Sequence, residues 1–466
     1  MSQPVDATPA HAPAAHAPTP AARRDAALRA AVAQGLVGPD APVLGLLDVA
    51  GVREAARALK AAFAGVPARH TFAVKAASLV PVLALLNEEG IGAEVASPGE
   101  LELARAAGVP AERIVFDSPA KTVGELRDAL ANGIAVNADN PQELERIDAL
   151  VAGGTASPVG LRVNPQVGSG SIGAMSTATA SSKFGVALRD EGAEEWVLGA
   201  YKARPWMTRL HTHTGSQGVA LELMAQGVRA AYELAEKINA HVGRQQIDTL
   251  DIGGGLPVNF GSDDVTPTFA EYAELLRRTV PGLFDGRYTL VTEFGRSLLA
   301  KQGFIAAHVE YTKTSGGRRI AVTHAGAQVA TRTVFVPESW PLRVGAYDAE
   351  GRPRATRAMV QDVAGPCCFA GDLVARGREL PELEPGDLVA LYDTGAYYFS
   401  THFHYNSLPR PAVYGYVQTP NGADADKVGA VEFAPVRSAQ TLDEVLAESG
   451  AQYAGSLLGL PHGLVD

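Results

Sequence analysis

Short apolar runs alternate along this chain with segments whose apolar residues recur at helical spacing, and that alternation most constrains the fold. Candidate strands fall at 71–74, 92–95, 114–116, 134–136, 159–163, 207–212, 249–252 and 288–293. Helix-like stretches at 98–107, 123–131, 141–151 and 222–241 lie between several of them. Strands separated by helices point to parallel β/α units, because hairpins leave no room for an intervening helix. Ser97-Pro98 and Asn140-Pro141 each offer a capping side chain followed by proline at the first helical turn. About eight such units in roughly 260 residues match a closed (β/α)8 TIM-like barrel. Periodicity alone does not decide closure, and an open doubly wound sheet is the competing arrangement.

An apolar run at 43–47, followed by helical spacing over 52–64, opens the pattern, so the barrel is expected to span 41–304. Residues 1–40 are expected to form a disordered tail, because Ala, Pro and His dominate residues 1–20 and support no packed core. That stretch lacks the apolar run of a secretory signal, and Arg23-Arg24 come late for a transit peptide. After residue 304 the texture becomes β-rich, with candidate strands at 306–313, 318–322, 332–336, 388–392 and 413–417. Glu384-Pro385-Gly386-Asp387 is a turn, and the apolar segment 360–372 places its cysteines in a loop. A second, β-rich domain is therefore expected over 305–466.

Hydrophobic residues make up 46% of the chain, yet none of its runs reaches the roughly 18 apolar residues of a membrane span. With 40 Lys plus Arg against 51 Asp plus Glu, the formal charge is −11, which argues against a nucleic-acid partner. The only two cysteines, Cys367 and Cys368, are neighbours and a poor structural staple, so a reducing cytoplasm is the expected setting.

The chemistry gathers at predicted strand ends, the face of a barrel that carries active sites. Lys75 closes the run His70-Thr71-Phe72-Ala73-Val74, where desolvation would lower its pKa towards that of a nucleophile. A lysine after a strand is ordinarily a surface residue, three glycines an ordinary turn, and a buried histidine a satisfied core group. Their company changes that reading: His213-Thr214-Gly215-Ser216, Gly253-Gly254-Gly255, Glu293-Phe294-Gly295-Arg296 and Gly365-Pro366-Cys367-Cys368. A reactive lysine, a stacking imidazole, glycines that admit a phosphate, a carboxylate and a thiol are the parts that pyridoxal phosphate needs around it.

In order and spacing these motifs resemble the fold-type III pyridoxal-phosphate decarboxylases, the family of diaminopimelate, ornithine and arginine decarboxylases. The diaminopimelate branch is nearest, and the resemblance runs from about residue 43 to about residue 411. It implies that Lys75 holds the cofactor as a Schiff base, in Ala-Val-Lys-Ala-Ala where the family usually has Ala-Val-Lys-Ala-Asn. His213 would pack on the cofactor ring, and Glu293 would pair with its nitrogen, in Glu-Phe-Gly-Arg rather than Glu-Pro-Gly-Arg. Gly253, Gly254 and Gly255, with Ser216, Arg296 and Tyr405, would hold the phosphate. Glu94, where the family carries Asp, and Arg162 in Leu-Arg-Val-Asn-Pro would organise the cofactor side. Cys368 would return a proton to Cα from the neighbouring subunit, which implies a homodimer with shared sites acting on a small amino acid. His211 shares a strand face with His213 and is read as a core or supporting group.

Departures from the family bear on substrate. Phe369 follows Cys368 where an acid usually meets a distal ammonium, and His324-Ala325-Gly326 replaces Asp-Ala-Gly. Arg332 resembles the arginine that binds a distal carboxylate, although Val336 stands at its partner tyrosine's position and Leu408 replaces an arginine. An ammonium buried without a counter-ion is costly, so ornithine and lysine are disfavoured. The expectation is a decarboxylase with an altered distal pocket, taking an apolar, aromatic or carboxylate-bearing amino acid. A genuine meso-diaminopimelate decarboxylase making L-lysine is the alternative. A racemase-like enzyme would need a tyrosine base opposite the lysine, and a non-catalytic homologue would have lost the cofactor contacts. His402 and His404 with His324 match no metal-binding motif, and no metal is expected.

Overall fold

The structure, a computed structural model, describes residues 18–152, 154–419 and 430–460. Its strands, numbered along the chain, form two sheets. The first strand, β1 (Val43–Asp48), is considered below. The barrel is built from β2 (Ala68–Ala73), β3 (Gly92–Val95), β4 (Ile114–Asp117), β5 (Ala135–Ala138), β6 (Val159–Asn164), β8 (Met207–Thr212), β9 (Thr249–Asp251) and β10 (Thr289–Phe294). Between them, β7 (Val186–Ala187) merely extends the outer side of β6. All eight barrel strands are parallel, and pairing of β5 with β6 and of β10 with β2 closes the ring. Each overlaps one of the eight strands expected from the sequence.

Alternation along the strands sorts the side chains. Phe72, Phe116, Val136, Leu161, Leu210, Leu250 and Leu290 are buried in the apolar core shared with the surrounding helices. The residues between them face the lumen, as contacts across it require: Asn137 of β5 reaches Asp251 of β9, and Arg162 of β6 reaches Asp117 of β4. Lumen-facing residues are therefore largely polar, in contrast to the branched aliphatic filling usual in such barrels.

The second sheet holds β1 with β11 (Gly303–Ser315), β12 (Arg318–Thr323), β13 (Val344–Tyr347), β14 (Ala358–Ala364), β15 (Leu373–Pro381), β16 (Leu388–Leu391), β17 (Ala412–Gln418) and β18 (Val431–Arg437). Three expectations are corrected here. The run at 43–47 is not a barrel strand: β1 lies antiparallel to β11 and parallel to β17, so the second domain is built from both ends of the chain. Residues 20–33, placed in the disordered tail, form a helix capped by Thr19, with Ala27, Leu28 and Ala31 packed on Leu44, Leu46, Phe304, Tyr347 and Tyr416. Residues 1–17 of that expected tail lie outside the described residues. The strand expected at 332–336 is instead the end of the helix Ala327–Phe335. Its start is fixed by Asp372, whose Oδ1 accepts from the Ala327 N–H at 2.6 Å, a partner 45 residues away that no local pattern reveals. Among the described residues no helix is long and apolar enough to cross a membrane.

One ion pair ties the first helix to the second sheet. Arg23 Nε donates to Asp48 Oδ2 at 2.6 Å with both side chains buried, while Asp48 Oδ1 caps the next helix through the Gly51 N–H at 3.1 Å. Burial raises the Asp48 pKa, and Arg23 opposes it. Arg23→Ala strands that carboxylate, and we expect a loss of about 3–5 kcal/mol in urea unfolding at neutral pH. The penalty belongs to the charged carboxylate, so the loss should shrink as pH falls and Asp48 takes up a proton.

Candidate active site

At the C-terminal mouth of the barrel, β2 runs into a single 3-10 turn, Val74–Ala76, with Lys75 at its centre. Lys75 Nζ donates to both oxygens of Glu94, at 2.9 and 3.1 Å. The register of β2 with β3 sets Ala73 opposite Glu94, which brings lysine and carboxylate together. Desolvation pushes the ammonium towards neutrality, as the sequence led us to expect. Glu94 outweighs it, and the net shift of the Lys75 pKa is upward. The buried Glu94 carboxyl is itself raised, chiefly by loss of solvent.

Lys75 opens into a cavity of about 370 Å³ whose walls include Asp117, Arg162, His213, Ser216, Gly255, Glu293, Arg296, Arg332 and Tyr397. A more apolar cavity of about 440 Å³ lies beside Arg24, Val258, Thr268 and Tyr392 and holds none of the predicted residues. In the Lys75 cavity Arg162 Nη1 donates to Asp117 Oδ2 at 2.7 Å. Burial would raise the Asp117 pKa, but Arg162 reverses that and holds the carboxyl well below its usual range. Glu293 has no such cation; burial and then the neighbouring Glu94 and Asp117 raise its pKa. His213 Nδ1 accepts the Gly254 N–H at 3.2 Å, and burial keeps the ring neutral.

The three glycines divide their work. A Cβ on Gly254 would lie 2.0 Å from the Glu293 carbonyl oxygen, and one on Gly255 1.7 Å from that of Gly215. Gly253 and Gly255 also take φ of +66° and +96°, conformations that side chains disfavour. These glycines therefore let the ends of β8, β9 and β10 approach one another. Of the three, Gly255 faces the cavity, beside Ser216.

Sequence reasoning assigned Arg296 to the phosphate and Arg332 to the substrate; the structure sets them side by side. Both guanidiniums lie over the Tyr397 ring, at 4.4 and 4.6 Å, and over Trp340, at 4.6 and 5.0 Å. Arg296 Nε and Arg332 Nη1 are buried without a hydrogen-bond partner. Burial lowers the Arg296 pKa to about 10, and Arg332 adds to the effect. Tyr397 and Asp117 were missed. Tyr397 is held at φ +73° with its N–H on the Ala76 carbonyl at 2.6 Å, strain that a sequence does not display. Asp117 directly follows the strand predicted at 114–116 and closes the observed β4, so an acid at a strand end was the signal that could have found it.

Cys368, Phe369, Tyr405 and His324 do not line this cavity. Cys368 is exposed in the turn between β14 and β15, its N–H bonded to Asn406 Oδ1 at 2.8 Å, whereas Cys367 is buried and its thiol pushed up to about 11. Phe369 stacks on Phe335 at 5.5 Å and meets Tyr405 edge-on at 5.4 Å. His324 Nε2 pairs with Glu310 at 3.1 Å rather than with His402 or His404. Among the described residues, Asp117, His211 and Glu293 are grouped closely enough to suggest a metal site. Asp117 faces His211 Nδ1 at 3.6 Å and Glu293 faces Nε2 at 3.5 Å, however, so the two acids address different ring nitrogens rather than one ion.

The cavity fits pyridoxal phosphate. It offers the Lys75 amine, the imidazole of His213 and the small Gly255 and Ser216 for a phosphate. Glu293 Oε1, buried without a partner, is free to meet a ring nitrogen. The family model described as "Pyridoxal-dependent decarboxylase, pyridoxal binding domain" matches residues 49–300. The diaminopimelate decarboxylase of Pseudomonas fluorescens is 34% identical over 355 residues, 75% of this chain and 82% of that protein. That of Aquifex aeolicus is 31% identical over 343 residues, 73% of this chain and 79% of the relative. The crystal structure of diaminopimelate decarboxylase from Helicobacter pylori complexed with L-lysine superposes with a TM-score of 0.75 at 25% identity, covering 88% of this chain and 97% of that one. With lysine, imidazole, carboxylate and glycines gathered at one barrel mouth, the chain belongs to the pyridoxal-dependent decarboxylases, and it is a pyridoxal-phosphate-dependent carboxy-lyase.

Proposed function

We propose that the substrate is an α-amino acid carrying a carboxylate at its far end, and that the working unit is a homodimer. The observation behind the substrate reading is the pair Arg296 and Arg332, two guanidiniums in the Lys75 cavity with donors left unpartnered. Planar donors of this kind bind carboxylates in pairs of hydrogen bonds. The dimer reading is supported by the placement of Cys368 and Phe369 outside their own chain's cavity, beside an aromatic cluster of Phe335, Phe403 and Tyr405. Phe335 is 53% exposed, and a second subunit would cover it.

When bound, the cofactor supplies an electron sink for the pair released as the substrate loses its carboxylate. The residues of this chain do the rest. Lys75 would hold the cofactor, His213 would pack on its ring, and Glu293 would hold a proton at the ring nitrogen. The Cα–carboxylate bond breaks, CO2 departs, and a proton from the Cys368 thiol of the second subunit completes Cα. Phe369 brings no counter-ion for a distal ammonium, which favours substrates without one. A second reading, meso-diaminopimelate, is favoured by the relatives named above, because the same two arginines would take its distal carboxylate.

CO2 release and amine identification across a panel of amino acids, diaminopimelate included, separate these readings. Turnover of diaminopimelate to lysine would refute the reading of Phe369; turnover of a distal carboxylate substrate with diaminopimelate inert would support it. Arg332→Gln should lower kcat/KM for the favoured substrate by about 10- to 100-fold, the cost of a charged hydrogen bond. Phe369→Glu should create turnover of substrates bearing a distal ammonium, and no gain would count against the altered pocket. In the cofactor-free protein Glu94→Gln removes the anion that raises the Lys75 pKa. The pH midpoint of amine labelling at Lys75 should then move down.

A further inference from the structure

We propose that His211 is a positioning residue which, with Asp117, governs the proton on Glu293, so that the three side chains form a carboxylate–imidazole–carboxylate relay under the cofactor ring. The inference rests on Glu293 facing that ring, as the functional reading has it. His211 lies in β8, opposite Arg162 of β6 and Asp251 of β9, and is fully buried. Its Nδ1 is 3.6 Å from Asp117 Oδ1 and its Nε2 is 3.5 Å from Glu293 Oε2. Both ring nitrogens, Asp117 Oδ1 and Glu293 Oε1 lack any hydrogen-bond partner. Orphaned polar atoms in a buried lumen require a reason, because each one left unpaired is costly. An ordinary core histidine would bond to backbone; this one has a carboxylate at each end.

The charges around the ring decide where its proton sits. Asp117 is held ionised by Arg162 at 2.7 Å, so it only accepts. A neutral imidazole has one N–H and one lone pair. The N–H therefore belongs on Nδ1, towards Asp117, and the Nε2 lone pair faces Glu293. A lone pair opposite a carboxylate is repulsive unless Glu293 carries a proton. Moving that proton from Oε2 to Nε2 gives an imidazolium between two carboxylates, with the same total charge. The pair thus retains one proton beside the place where Glu293 meets the ring nitrogen. The other groups acting on it are Glu94, Lys75 and Arg162 from the cavity side, and Asp251 and Arg209 from below. Burial pushes Asp251 up to about 7, and it accepts from Arg209 at 3.0 Å. His213, one residue past the end of β8, is neutral.

The test uses full-length enzyme loaded with pyridoxal phosphate, reading the pH dependence of its visible absorbance together with kcat and KM. His211→Phe removes both contacts. We expect the absorbance midpoint to move by about one pH unit or more, the equivalent of a lost charged contact. We also expect kcat to fall by about 10- to 100-fold with little change in KM, as for residues that orient a catalytic group. His211→Gln, which bonds but carries no charge, should restore the fold without restoring the midpoint. An unshifted midpoint in a folded His211→Phe or His211→Gln variant would overturn the proposal. Should His211→Phe not fold, ¹⁵N spectra of the cofactor-free wild-type protein decide instead: the Nδ1–H tautomer supports the relay, and a neutral Nε2–H tautomer overturns it. A wild-type protein that binds no cofactor would fail the functional reading itself, a result distinct from an unshifted midpoint.

Discussion

Charge matching inside the barrel is the constraint on which the rest of the molecule depends. Arg162 and Arg209 stand in the lumen with Asp117, Asp251, Glu94 and Glu293, and Lys75 reaches Glu94 from the half-exposed mouth. Each cation is paired at 3.0 Å or less with a carboxylate from another strand; neighbouring-strand register provides two of these pairs, and Arg162 with Asp117 spans the β5–β6 seam that closes the ring. Burying such charges is unfavourable unless they meet partners, so the lumen is stable only as a set. Glu293 is the carboxylate left over, and its raised pKa follows from that arithmetic of neighbours. A site that must favour a proton at one position is built by surrounding it with anions and withholding a cation.

The second domain contributes by reaching back to the barrel mouth. Tyr397 arrives from the stretch after β16 and bonds to Ala76, one residue beyond Lys75. Ser400 Oγ adds a bond to the Lys75 carbonyl at 3.2 Å. The helix Ala327–Phe335 carries Arg332 to the side of Arg296. Because β1 starts in this sheet before the chain enters the barrel, both chain ends anchor the wall that holds these residues. The two arginines share the faces of Tyr397 and Trp340, and aromatic faces soften the repulsion between like charges.

Much of the barrel was legible because buried parallel strands are short apolar runs and their helices carry strong end signals. Ser97 and Asn140 do cap helices with proline at the first turn. Strand-end chemistry was legible for the same reason: Lys75, His213, Glu293 and the glycines follow apolar runs directly. The errors came where a segment's partner is distant. Residues 20–33 look like tail because their composition is alanine-rich, yet Arg23 finds Asp48 and the alanines find β1 and β17. Residues 332–336 look like a strand because Val, Thr and Phe favour one, yet Asp372 fixes a helix start upstream.

Sequence by itself determined the class of fold, the cofactor and the lysine, imidazole and carboxylate that line one cavity at the barrel mouth, because each leaves a local pattern of residue type and spacing. Tertiary structure alone decided which strands close the ring, that Glu94 meets Lys75, that Arg296 stands beside Arg332, and that His211 lies between Asp117 and Glu293. It also reversed the expected direction of the Lys75 pKa shift, since desolvation can be read from an apolar run but the anion that outweighs it cannot. The physical reason is range. Hydrophobic periodicity and capping act within a few residues, whereas electrostatic pairing in the lumen acts between different strands and exists only once those strands are in register.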